Sequence, residues 1–462
     1  MKMDVNKTII KVLVGMVAGC MMACNGFLDV KPESAVSTPE TLKDLRALLD
    51  NEDNMNRHFP GLLEMGTDDY FLDYSVFSSR RAFDQTVYLR EAEPLFLTAN
   101  MNQQWASSYQ AVATANIVME SLERIKEGNA AEREQLRGEA YFIRGYAFYH
   151  LAQLYAQPYD PEGDNASPGI PLRLSSDVSI PSTRGSVAET YEQIIADLTV
   201  SFDLLPEHVD YKTRPGKTAA LAALARVYLS TEQYDLAFEM ADDALNRYDR
   251  LIDFNELDID ASYPFEAFNA ETIYFGYSSS GSLLLSNTRA NIPESLYGSY
   301  NENDLRKYAF YFDSGDGLIR YKGYYNGGRA AYFAGLATDE LYLIRAECHA
   351  RASRWEQAMA DLNRLLETRW QVGTYVPFHA DNQEDALRSI LGERRKELIF
   401  RGVRWSDLRR LNRDERFATT LIRVIDDGTS SKTYTLPPND LRYTHLIPQE
   451  VILRTGMQQN PR

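Results

Sequence analysis

The sequence predicts a mostly α-helical chain of about four tetratricopeptide-like helical hairpins, interrupted by an irregular, loop-rich region with a few short strands. Three observations carry this reading. From residue 40 onward, apolar residues recur at three- and four-residue steps, the spacing of one helix face. Small residues recur where paired helices must cross closely. One stretch, 263–335, has neither pattern and devotes 11 of its 73 residues to tyrosine.

Taken in order, the first helix runs from near Thr41 to Asn51. The segment Glu132 to Gln157 has the clearest stripe, with Leu136, Ala140, Ile143, Ala147, Leu151 and Leu154 on one face. Pro158, which has no amide hydrogen, stops it. The next helix opens at Ser186-Val187-Ala188-Glu189, a capping box in which each end side chain can satisfy the other residue's free backbone N–H. Its apolar positions run through Tyr191, Ile194, Ile195 and Leu198 to Leu205, and Pro206 ends it. Two hairpins then show the tetratricopeptide pattern. In the first, Leu221, Leu224, Ala225 and Tyr228 face Ala237, Ala241 and Ala244; in the second, Tyr342, Ala346 and His349 face Ala358, Leu362 and Leu365. Their separation along the chain argues against a continuous solenoid. The stretch between them reads as loop with short strands, and so long an irregular insertion in a compact domain is usually functional.

The first two dozen residues read as an export signal, with Lys2, Lys7 and Lys11 ahead of an apolar run from Val12 to Ala23 that is too short to span a membrane. The run meets cysteine at Val17-Ala18-Gly19-Cys20 and at Met21-Met22-Ala23-Cys24, both resembling the box at which bacterial lipoproteins are cleaved and acylated. Cys24 is our assignment because a polar tether follows it; Cys20, with the more regular box, is the alternative. An acyl chain there would tie the protein to a membrane surface without a spanning helix. Only Cys348 remains in the body, which excludes an intramolecular disulfide framework there. A net charge of −17 argues against nucleic acid as a partner.

Seven further pieces, in order, resemble the SusD/RagB family of nutrient-binding lipoproteins. They begin with Cys24, Phe27-Leu28-Asp29 and Pro32; then Trp105, Tyr109 and Asn116; then Glu139 to Arg144 with Leu154-Tyr155. Gly169-Ile170-Pro171-Leu172 follows, then Arg184 to Val187 with Tyr191, Asp197 and Leu198. The most specific is Glu393 to Leu398 with Phe400, Gly402, Arg404, Trp405, Asp407, Leu408 and Arg410, and the last is Leu446-Ile447-Pro448, Glu450 and Gln459-Asn460-Pro461. Arg401 departs from the pattern, which commonly has an acid before the glycine, and puts one local ion pair in doubt. The resemblance implies a signal peptide over 1–23, an acylated tether over 24–39 and a single domain over 40–462. Within that domain it implies a helical part (40–250), a loop-rich insertion (251–335) and a C-terminal part (336–462). It also implies an outer-membrane location facing the cell exterior, a glycan ligand, and a partner, a SusC-like TonB-dependent barrel over whose mouth the protein acts as a lid. A peptide ligand within the same family, a tetratricopeptide scaffold that binds only proteins and a surface hydrolase are the alternatives.

A pyranose packs its C–H face flat on an aromatic ring while its hydroxyls need hydrogen-bond partners. All four tryptophans lie in helical or family-patterned segments and read as packing, so the platforms must be tyrosine or phenylalanine. Our candidates are Tyr70, Tyr74, Arg81, Tyr277, Tyr297, Tyr300 and Tyr325, with Asn287 and Arg289 as polar partners. Asp304, Arg306 and Lys322 read instead as an internal salt-bridge set. No nucleophile elbow, HExxH or phosphate-binding glycine loop occurs, and the six histidines are scattered, so neither an enzyme nor a zinc site is expected. No cofactor is expected; Asp313-Ser314-Gly315-Asp316-Gly317 could hold a structural Ca²⁺ but reads more simply as a turn.

Overall fold

A computed structural model describes residues 38–91, 99–280, 284–328 and 331–462. Cys20 and Cys24 of the signal region lie outside the described residues, and Leu42–Arg462 forms one compact unit. Helix α1 spans Leu42–Leu49, α2 Ala99–Arg124 and α3 Ala130–Tyr155. The side chain of Asn129 caps α3 by accepting from the Ala131 and Glu132 amides, and all six residues of its predicted stripe are buried. Helix α4, Val187–Leu204, opens on the complete Ser186/Glu189 capping box. Helices α5 (Lys217–Ser230), α6 (Tyr234–Arg247), α7 (Thr338–Arg351) and α8 (Trp355–Glu367) make the two expected hairpins, followed by α9 (Gln383–Glu397) and α10 (Arg404–Leu411). No helix among the described residues is long and apolar enough to cross a membrane.

The two hairpins share one geometry. Each has a three-residue turn whose middle residue is left-handed, Glu232 at φ 60° and Ser353 at φ 58°. Each is closed by a matching backbone bond, Gln233 N to Tyr228 O and Arg354 N to His349 O, both 2.9 Å. The expectation of a broken solenoid is corrected here. Despite their distance along the chain, α6 packs directly on α7, with Phe238 edge-on to His349 at 4.7 Å. Arg345 on α7 reaches Asp242 on α6 at 2.8 Å and Asp361 on α8. Helices α2 to α9 therefore stack in chain order, and residues 248–337 leave and re-enter at one point. Strand β1 (Thr272–Tyr274) pairs there with a short strand at Leu336–Ala337, which we label β4, and between them lies the antiparallel hairpin β2 (Tyr311–Asp313) and β3 (Ile319–Tyr321). A last hairpin, β5 (Leu421–Asp426) and β6 (Ser431–Leu436), precedes the C-terminal segment.

Two kinds of contact hold this frame. One is close helix approach: an added Cβ on Gly145 of α3 would lie 2.9 Å from Asp197 Cβ and 3.2 Å from the Ile194 carbonyl of α4. Beside it the buried Arg144 meets Asp197 at 2.7 Å and the Asn116 side chain of α2 at 3.0 Å, tying three helices. The other is a buried ion network. Arg306, wholly buried, donates to Asp304, to Glu397 Oε2 at 2.9 Å and to Glu393 at 2.5 Å. The second oxygen of Glu397 takes Arg369 at 2.8 Å, and Arg369 reaches Glu271 at 2.7 Å, whose other oxygen accepts from Tyr325. Lys322 stands apart from this set, because its ammonium donates to the carbonyls of Ile259 and Ala261. Arg401, the departure from the family pattern, pairs with Asp339 at 2.9 Å and stacks over Tyr325 at 4.3 Å.

Alanine is the better helix former, so helix propensity alone predicts that Gly145→Ala stabilises the protein by about 1 kcal/mol. Because the new methyl meets backbone across the helix contact, we expect a net loss of about 1–3 kcal/mol, read as a lowered thermal midpoint; a raised midpoint would contradict the packing. Burial, opposed by Arg369 and helped by the negative Asp339 and Glu397, pushes Glu271 up to about 7. An acid whose folded value is raised stabilises fully below its unfolded value of about 4.3 and loses that contribution as the pH passes its folded value. The parent should therefore lose stability relative to Glu271→Gln as the pH rises from about 5 to 8, and parallel unfolding free energies would refute it.

Candidate functional site

The loop-rich insertion is anchored to the N-terminal part by a short two-way backbone bridge, in which the Phe71 and Asn291 amides each donate to the other's carbonyl, at 2.8 and 2.9 Å. Around it three segments converge. The Asn291 amide donates to Asp73 at 3.1 Å, Arg320 donates to the Asn291 oxygen at 3.2 Å, and Arg320 also pairs with Asp316 at 2.7 Å. The Ile292 amide bonds the Ile319 carbonyl at 2.8 Å, so the segment carrying Asn287 to Tyr297 lies along β3. These bonds give partners to the buried amide of Asn291 and to the charged groups beside it, which fixes their positions.

On this platform the candidates separate. Tyr74 opens the short helix Tyr74–Ser78 and is 44% exposed. Tyr297 is half-buried, edge-on to Tyr311 at 5.6 Å, with the Lys307 ammonium 4.8 Å from its ring centre. Asn287 is half-buried, and its backbone N–H donates to the phenol of Tyr324, which burial pushes up to about 12. Arg289, also half-buried, sits in the turn that follows, its amide bonded to Ser286 O. Arg81 is exposed, but its guanidinium forks onto Asp84 at 3.0 and 3.1 Å, so it presents a neutralised group.

Four candidates are corrected. All four are buried, Tyr70 in the N-terminal part and Tyr277, Tyr300 and Tyr325 in the insertion, where aromatic rings make up much of the core. Their rings pack on neighbours, and three hydroxyls have structural partners: Tyr70 on the Met65 carbonyl, Tyr300 on Lys396 O and Tyr311, Tyr325 on Glu271. A ring with no free face cannot stack on a sugar. The residues that the sequence reading passed over are Asp73, Asn291 and Arg320, which join across 218 and 29 positions of the chain and carry no local pattern. Half-buried Phe71, in the bridge, belongs with them.

Titratable clusters elsewhere are already engaged. The carboxylates of Glu271, Asp339 and Glu397 lie within 4.8 Å of one another, but Arg369, Arg401 and Arg306 face them at ion-pair distance. Asp313 to Gly317 forms the β2–β3 turn, where Asp316 accepts from Ser314, the Leu318 amide and Arg320. The expected packing roles of Trp105, Trp370 and Trp405 hold, since all three are buried; Trp355 is half-buried against the core.

Comparison with known proteins gives the same result over most of the chain. A family profile described as starch-binding and associating with the outer membrane matches residues 26–229, and the SusD family profile matches residues 322–461. A SusD-like protein P2 of Formosa agariphila is 26% identical over 409 residues, covering 74% of this chain and 79% of its own length. Among solved structures, a SusD-like carbohydrate binding protein from Bacteroides vulgatus superposes with a TM-score of 0.71 at 20% identity, covering 90% of this chain and 97% of the other. A SusD superfamily protein from Bacteroides thetaiotaomicron superposes with 0.69 at 21% identity, covering 91% of this chain and 100% of the other. With the helical frame, the buried C-terminal signature and these two profiles spanning most of its length, the chain belongs to the SusD/RagB family and is a non-catalytic protein.

Proposed function

We propose that this protein is a lipid-anchored receptor on the exterior of the outer membrane, which binds a glycan at the platform of Tyr74, Phe71, Asn287, Arg289 and Tyr297 and passes it to a SusC-like TonB-dependent barrel. The observation that carries the ligand class is the combination of accessible tyrosine surface with amide, carboxylate and guanidinium groups held in place by hydrogen bonds to one another. Ring surface takes the C–H face of a pyranose, and fixed polar groups take its hydroxyls. The family profile that matches residues 26–229 supports the outer-membrane setting. The export signal and its cysteine support the anchor.

The soluble form starting at Asn25 should bind one neutral plant or host polysaccharide in an affinity gel or calorimeter without shortening it. Tyr74→Ala and Tyr297→Ala should each weaken that binding by about 1–3 kcal/mol; unchanged affinity in both would remove the platform from consideration, and saturable binding of a peptide digest instead would replace the ligand class. In cells fed a labelled fatty acid, Cys24→Ser should abolish incorporation and Cys20→Ser should retain it, while the reverse result would move the anchor to Cys20.

A further inference from the structure

One further tyrosine ring of the insertion is open to solvent. Tyr263 was not among the candidates read from the sequence, yet it is 48% exposed, more than Tyr74. Its ring is braced from one side. Gly328, left-handed at φ 85°, lies over it: a Cβ added there would meet three ring atoms at nearly equal distances, 2.6, 2.7 and 2.8 Å, which is a position above the face and not at the edge. Any side chain at 328 would displace the ring, so glycine is required there for space as well as for the backbone angle. With one face covered by backbone and nearly half of the residue exposed, the opposite face is the surface that water reaches.

The loop that carries this ring is fixed on both sides. Before it, the Lys322 ammonium just after β3 holds the carbonyls of Ile259 and Ala261. After it, the buried Phe265 packs on Tyr325 at 4.5 Å and edge-on to Phe254 at 5.4 Å. Ala267 lies against Gly327, where an added Cβ would come within 2.8 Å of the Ala267 nitrogen. A ring held in this way loses little freedom when something stacks on it. Tyr324 joins it to the platform. The Tyr324 ring lies 6.1 Å from that of Tyr263, and its phenol accepts the Asn287 N–H.

We propose that Tyr263 is a further stacking position of the glycan site, and that the ligand is an oligosaccharide of several units and not a mono- or disaccharide. The inference rests on the platform reading. Tyr74, Tyr297 and Tyr263 stand on three separate segments, and an accessible ring face takes the C–H face of one pyranose. A ligand that uses all three therefore has at least three sugar units. Tyr263 and Asn287 touch Tyr324 at different places, the one at its ring and the other at its hydroxyl, so their contacts fall to different units of the chain.

The test titrates the soluble form starting at Asn25 by calorimetry with maltohexaose, cellohexaose, xylohexaose, laminarihexaose and mannohexaose, and then with the disaccharide of whichever binds. The hexasaccharide should bind more tightly than its disaccharide. Tyr263→Ala should weaken the hexasaccharide about five- to tenfold without lowering the thermal midpoint, and Tyr263→Phe, which keeps the ring, should bind as the parent does. Unchanged hexasaccharide affinity in Tyr263→Ala, beside losses in Tyr74→Ala and Tyr297→Ala, would overturn this inference and leave the platform standing. A disaccharide that binds as tightly as the hexasaccharide, or a loss in Tyr263→Phe equal to that in Tyr263→Ala, would overturn it as well, the first by removing the need for length and the second by assigning the effect to the hydroxyl. A loss in Tyr263→Ala with none in either platform variant would reject the shared site, and binding of none of the five would reject the platform reading together with it.

Discussion

The fold turns on the carboxylate of Glu397. Its two oxygens receive different arginines, Arg306 from the insertion and Arg369 from beyond α8, and through Arg369 the charge is shared with Glu271 at the root of the insertion. Buried ions of this kind are poor sources of net stability, since desolvation offsets most of the attraction, but a single missing partner leaves an uncompensated charge. The network therefore works as a test of register: the insertion can seat in only one way without stranding a charge. That is why a stretch with so little regular secondary structure adopts a defined position on a helical frame.

The same logic recurs at the C-terminal signature. Arg404 and Arg395 reach Asp68 and Asp69, Trp405 lies against Gly66 with its indole N–H on Tyr443 O, and Arg410 forks onto Glu347. Each contact joins residues far apart in the chain, and several fasten the segment that leads into Phe71, Asp73 and Tyr74. Burial holds Glu347 up, but Arg410 and Arg351 prevail and keep it ionised, at about 2. The signature thus fastens the segment before Phe71 through buried contacts of its own, which is how a strongly patterned motif can say little about what is bound.

The helical frame was legible because helix periodicity and capping are local. The stripe of α3 and the capping box of α4 can be read from adjacent residues and appear as read. Contact between α6 and α7 was not legible, since nothing within either hairpin records that the intervening chain returns to its starting point. Composition also misled the reading of the insertion. Tyrosine serves equally as an amphipathic surface residue and, once its hydroxyl has a partner, as core. Tyr300 and Tyr325 are of the second kind, Tyr74 of the first, and only the partners Lys396, Tyr311 and Glu271 tell them apart.

The pairing of β1 with β4 brings the two ends of the insertion side by side on an uninterrupted stack of helices. The chain between them is in effect a closed loop on a finished scaffold, and loop closure entropy grows only slowly with length. Residues can be added, removed or exchanged within it while the stack beneath keeps its own contacts. A lineage carrying such a frame could change what it recognises many times over and still fold by the same route, so that divergence would gather in the insertion and the helices would change least.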